Sequence, residues 1–102
     1  MERESKLTET LKLSIESKVF NRLILHLQKR SDVQNIDLMN LSGFCRNCLS
    51  NWYKEEAGEL GINIDKDLSR EIVYGMPHSK WKEKYQKEAS SEKLEKFKEQ
   101  KD

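Results

Sequence analysis

The feature that most constrains this chain is a run of aliphatic residues at four-residue steps. Leu7, Leu11, Ile15, Val19, Leu23 and Leu27 recur in this way across residues 4–30, with Phe20 and Ile24 beside them and no Gly or Pro in the stretch. Apolar residues at helical spacing predict one long helix, frayed or bent before Ser17. Ser31-Asp32 stops it, and either side chain can cap a following helix by accepting a backbone N–H bond. The stripe is wider than a chain of 102 residues readily covers, because a domain of this size buries only about two thirds of the surface its unfolded chain exposes. A thin core under a broad stripe predicts self-association, most simply as a two-fold homodimer.

The second segment, residues 33–60, is the unusual part. Placed at about 100° per residue around a helix axis, Leu38, Leu41, Cys45, Cys48, Leu49 and Trp52 fall within one third of the circumference. Asp37, Asn40, Asn47 and Asn51 line up beside that stripe, with Phe44 among them. Gly43 interrupts the pattern, at a kink or at a close approach of another backbone. Gly58 and Gly61 bracket its end, as glycines after helices do. Beyond a short extended piece at 62–64, Asp65 or Asp67 caps a helix through Leu68, Ile72 and Val73, which Gly75-Met76-Pro77 breaks. Ser79 is the natural cap for the next helix, carrying Trp81 and Tyr85. No stretch longer than three residues alternates in the strand manner. The expected fold is therefore all-α: four to five helices in an irregular array with no sheet, one domain over residues 1–102 with 33–60 at its centre. Residues 90–102 form a loosely docked C-terminal helix with only Leu94 and Phe97 to bury.

Charge excludes several function classes. Nineteen basic residues stand against eighteen acidic ones, a net charge of +1, so neither nucleic acid nor an anionic membrane is an expected partner. No export signal opens the chain and no run approaches the roughly 20 apolar residues of a membrane span. The expected location is the cytoplasm, where two cysteines three apart stay reduced.

Three constellations could carry chemistry. Cys45-Arg46-Asn47-Cys48 has the spacing of half a zinc site, but a structural site needs four ligands. His26 and His78 are the only histidines and would have to converge on the pair, unless two subunits each contribute one. A redox reading needs activation at a helix N-terminus, which a pair in mid-helix would lack. The favoured reading is that both thiols are core residues on the apolar stripe, with zinc and redox roles as alternatives. His26 reads as a surface or interface histidine and His78 as a turn residue. The polar row of Asp32, Gln34, Asn35, Asp37, Asn40, Arg46, Asn47 and Asn51 suggests a buried or interfacial hydrogen-bond network, the alternative being a solvated face. Arg46, or a residue of another helix or subunit, is the expected charge partner of Asp37.

These residues also carry a resemblance. Asp32-Val33-Gln34-Asn35-Ile36-Asp37-Leu38-Met39-Asn40-Leu41, followed by Gly43-Phe44-Cys45-Arg46-Asn47-Cys48-Leu49 and Trp52-Tyr53, resembles the bacterial domain-of-unknown-function family 1244. Tyr74-Gly75-Met76-Pro77 with Trp81-Lys82 and Tyr85-Gln86 is similar to that family's second signature. The likeness runs from about residue 20 to residue 97 and implies a small helical fold with no established activity. Its signature contains the cysteine pair and the amide row. The leading functional expectation is a non-enzymatic protein-interaction module acting as a homodimer. One alternative is a zinc protein using Cys45 and Cys48 with His26 or His78. The other is a small-molecule-binding protein or enzyme built on Asp37, Asn40, Arg46 and Asn47.

Overall fold

A computed structural model describes residues 7–101 of the chain. Among them there is no strand, and the helices are α1 (Glu9–Lys29), α2 (Asn35–Ser42), α3 (Arg46–Glu59), α4 (Lys66–Tyr74), α5 (His78–Tyr85) and α6 (Ser91–Lys101). The all-α class holds, with six helices where four to five were expected. The extra one comes from residues 33–60, which form two helices. Gly43 ends α2 with φ +80°, a left-handed conformation that costs other residues roughly 1–2 kcal/mol, and the chain turns before Cys45 caps α3. A helical wheel drawn through Gly43 therefore loses its phase. Leu38, Cys45 and Leu49 face the core, while Leu41 is 86% exposed and Trp52 half-exposed.

The first stripe needs a similar correction. Only Ile24 and Leu27 of α1 are buried, with Phe20 partly so, and every residue from Leu7 to Val19 is exposed. Side chains four apart advance about 40° around a helix of 3.6 residues per turn, so a strict four-residue repeat spirals off any single face. Residues 13, 17, 20, 24 and 27 share the core-facing side instead. Leu11 and Ile15 lie on the opposite side, and Leu7 precedes the helix. Thr8, and not a bend at Ser17, sets the start of α1, its hydroxyl accepting from the Leu11 N–H at 3.1 Å.

The core joins Ile24 and Leu27 to Leu49 of α3, Val73 and Tyr74 of α4 and Trp81 of α5. The most extensive helix contact is α3 on α4, where Ser50 and Ser69 are fully buried. Each returns its hydroxyl to its own helix, Ser50 to the Asn47 carbonyl at 2.8 Å and Ser69 to the Lys66 carbonyl at 2.9 Å. Small side chains with internally satisfied hydroxyls let the two helices approach without stranding a polar group. Asp65 caps α4 by accepting from the Leu68 N–H at 2.7 Å. Gly75 ends α4 at φ +74°, and a Cβ there would meet the Gln28 amide at 2.7 Å. Pro77, not Ser79, precedes the first residue of α5.

Gln34 fixes the last third of the chain to the first. Its buried amide donates to the Tyr85 carbonyl at 2.7 Å and accepts from the Lys87 N–H at 2.9 Å. The extended segment at 86–90 is thereby held against the start of α2, and it delivers α6 onto α2. The radius of gyration is 16.5 Å with extents of 52 × 31 × 28 Å, against about 13 Å for a compact domain of 100 residues. No described helix is long and apolar enough to cross a membrane.

Candidate functional site

The centre of the polar row is Arg46. It lies in the first turn of α3, its side chain is 1% exposed, and its guanidinium reaches back to the end of α1. Nη1 donates to the Val33 carbonyl at 2.7 Å and to Asn35 Oδ1 at 3.0 Å, and Nη2 to the Arg30 carbonyl at 2.8 Å. A longer contact of 3.5 Å leads to the Leu27 carbonyl. The last carbonyls of a helix have no partner within it and carry the negative end of its dipole. Here the Arg30 carbonyl also accepts from the Val33 N–H at 3.0 Å and the Leu27 carbonyl from the Arg30 N–H at 3.1 Å, and the buried arginine fork adds a charged donor to both. Its flat face lies over the Trp81 ring, 4.9 Å from the centroid, a cation–π placement. Burial pushes the guanidinium below its ordinary range.

From Asn35 the network continues outward. The Asn35 amide donates to the Tyr74 hydroxyl at 3.0 Å, and that hydroxyl donates to Asn47 Oδ1 at 2.6 Å. Burial pushes the Tyr74 phenol up, the Asn35 hydrogen bond opposing it. Three amide or phenol groups and one cation thus satisfy one another, as a buried polar network must. The expected network is present, but it is smaller than the sequence row and differently bounded. Asn51 is exposed. Asp32 pairs with Arg30 at 3.0 Å on the surface; that hydrogen bond holds its carboxyl below the usual range. Asp32 does not cap α2, which begins after Gln34.

Asp37 and Asn40 belong to a different place. Asp37 pairs with Lys93 Nζ at 2.9 Å, and Asn40 donates to the Lys93 carbonyl at 3.1 Å. Both face α6 and line a cavity of about 390 Å³ with Ser90, Glu92 and Lys96. Another helix, and not Arg46, supplies the charge partner of Asp37. The four residues proposed as one binding row therefore fall into two groups, Arg46 with Asn47 and Asp37 with Asn40.

The cysteine pair is not in mid-helix. Cys45 caps α3 and Cys48 sits in its first turn, with the two sulfurs 3.6 Å apart. Cys45 is buried and Cys48 half-buried, so only one of the two thiols is fully a core residue. Burial pushes the Cys45 thiol up, against the helix N–H groups of Cys48 and Asn47 that favour its thiolate. The Cys48 thiol donates in turn to Met39 Sδ at 3.7 Å, a neighbour that sequence spacing across the Gly43 turn could not supply. His26 and His78 do not join the pair. Among the described residues no three His, Cys, Asp or Glu side chains come together as a metal would need. His26 is exposed on α1. His78 packs at a tilt against Tyr74, ring centroids 5.0 Å apart, and places Nδ1 3.2 Å from Arg70 Nη1. Burial, then Arg70 and Lys82, lower its pKa below 6.5.

An apolar groove escaped the sequence reading altogether. A groove of about 680 Å³ runs between α1 and α3, lined by Leu13, Phe20, Trp52, Tyr53, Leu60 and Ile62 among others. Its signal was present in the aromatic pair Trp52-Tyr53, of which the continuous wheel placed Trp52 on the apolar stripe.

No curated protein matches this chain. Residues 33–99, which hold the Arg46 network, the cysteine pair and the Asp37–Lys93 contact, match the family model DUF1244, described as a protein of unknown function, and the chain belongs to that family.

Proposed function

We propose that this protein is a helical interaction module that works as a homodimer, with α1 and the α1–α3 groove as its shared surface. The observation that carries this reading is α1 itself, a 21-residue helix that buries only Ile24 and Leu27 in its own chain. Up to Phe20 it presents Leu11 and Ile15 on one side and Leu13 and Phe20 on the other, all but Phe20 at least half exposed. A helix apolar on two faces is normally enclosed on both. Beside it, the groove exposes Trp52 at 50%, Ile62 at 54% and Leu60 at 79%. Free helix and open groove lie on the same chain, so one two-fold axis can place each helix against the other copy's groove, the self-complementary arrangement of an isologous pair. Standard interfaces bury about 800 Å² per partner around aromatic anchors, and Trp52, Tyr53 and Phe20 are such anchors.

A binding role is further supported by how the polar candidates are used. Arg46, Asn47 and Asp37 spend their hydrogen-bonding capacity on Asn35, Tyr74, Lys93 and the backbone. The test is sedimentation of the purified 12.1 kDa chain beside a Leu11→Glu, Ile15→Glu double variant. The expected result is a dimer for the natural sequence and a folded monomer for the variant, since exposed positions cost a monomer little. A 12.1 kDa species at tens of micromolar for the natural sequence overturns the reading.

A further inference from the structure

We propose that Cys45, Cys48 and Met39 form a three-sulfur site for a soft monovalent metal ion, Cu(I) by chemistry. Two helices and the Gly43 turn bring these sulfurs together: Cys45 Sγ is 3.6 Å from Cys48 Sγ, which is 3.7 Å from Met39 Sδ. Taking a metal–sulfur bond as about 2.3 Å, a trigonal ion would hold its three ligands about 4 Å apart. The Cys45–Cys48 and Cys48–Met39 pairs need to open by only a few tenths of an ångström, and Met39 and Cys45 line one cavity.

The donor set selects the ion. Thiolate and thioether ligands together favour Cu(I), whereas Zn(II) is completed by imidazole, carboxylate or further thiolates. The histidines stand elsewhere, His26 exposed on α1 and His78 packed against Tyr74. Met39 and Cys45 line a cavity of about 240 Å³ whose other walls include Ile36, Leu94 and Phe97. A bare thiolate in such a setting is costly, so the empty pair holds its protons; on binding, both thiol protons leave to solvent and the ion takes their place between the sulfurs. Cys48 and Met39 are half-buried, so the cluster is reachable past α6, which supplies Leu94 and Phe97.

The test uses full-length protein with Cu(I) supplied as such, without oxygen, against a chromophoric Cu(I) chelator. The expected result is one Cu(I) held per chain and Zn(II) not retained under the same competition. Met39→Leu keeps the volume of the side chain and should weaken Cu(I) retention by at least about tenfold, the scale on which even outer-shell changes act, with an unaltered helical circular-dichroism spectrum. Cys48→Ser should remove retention. Loss of Cu(I) to the chelator in the natural protein overturns the proposal. So does half a copper per chain, which would place the ion between two copies, or a Met39→Leu protein that binds as tightly as its parent. None of these outcomes depends on whether the chain dimerises through α1.

Discussion

Replacing Arg46 tests the organisation of the whole molecule, because its guanidinium joins the end of α1, the corner before α2 and the start of α3. Three of its hydrogen bonds are short, 2.7 Å to the Val33 carbonyl, 2.8 Å to the Arg30 carbonyl and 3.0 Å to Asn35. A hydrogen bond to a charged group contributes about 1.5–3 kcal/mol, so the gross gain is roughly 5–9 kcal/mol. Burying the guanidinium costs several kcal/mol, which an alanine would recover. The net loss expected for Arg46→Ala is about 3–5 kcal/mol, a large part of the 5–15 kcal/mol that holds a domain together. Arg46→Met restores the stem but not the donors and should lie between alanine and the parent. Arg46→Lys keeps the charge but lacks the planar fork and should lose about 1–2 kcal/mol, if one carbonyl of the set is kept as in ordinary charged bonds. Urea unfolding followed by tryptophan fluorescence reads the series, with Trp81 4.9 Å from the guanidinium and an unchanged m-value as the sign of intact two-state behaviour. An alanine variant that loses less than about 1 kcal/mol, within the range of a single neutral hydrogen bond, would refute the idea that these carbonyls depend on Arg46.

The other expectations concern local features. Gly43→Ala should cost about 1–2 kcal/mol, the price of a left-handed backbone alone, since nothing lies within 4 Å of a Cβ there; Gly75→Ala should cost more, because its Cβ would push aside the Gln28 amide and break its hydrogen bond to the Val73 carbonyl, and equal losses in urea melts would count against that role of Gln28. His78 is harder to protonate in the fold than its ordinary value of 6.5 implies, through burial, Arg70, Lys82 and Lys66 against the opposing Asp67. The unfolded chain therefore binds the proton first, so His78 should leave stability intact above about pH 6.5 and erode it as pH falls through the lower folded value; a His78→Asn variant should show a flatter profile, and an identical one would sink the assignment. Under native conditions a thiol reagent should label half-buried Cys48 before buried Cys45, a sequence that mass spectrometry of partly labelled protein reads directly.

What the sequence made legible was class and content. Helices announced themselves through spacing and punctuation, and Gly75-Met76-Pro77 marked a real break. Gly43 was visible too, but not its effect: a single positive φ turned one long helix into two and broke the phase between them. That is why Trp52 was placed inward beside Leu49 and why the Cys45 cap at the start of α3 was read as mid-helix. The stripe on α1 misled for the opposite reason. It was regular, but four residues are not one turn. The polar row named Asn35, Arg46 and Asn47 correctly as network members, yet their partners Tyr74 and Trp81 lie about 30 residues on, joined by packing that periodicity does not encode. Met39 and the apolar groove stayed hidden for the same cause.

The way Arg46 closes α1 has a consequence for the order in which the molecule is made. The carbonyls it serves lie 16 and 19 residues upstream, so α1 leaves the ribosome before the residue that seals its end exists outside it. At about 5–20 residues per second, the gap from Arg30 to Arg46 lasts roughly one to three seconds. Through that interval the nascent helix carries its aliphatic side chains without a finished corner to turn it back. A chain stalled or cut at Ser42 would hold two helices with no means of fixing the angle between them. The earliest stretch that can hold its own shape therefore extends into α3, and the first half of this protein has no independent life before Arg46 arrives.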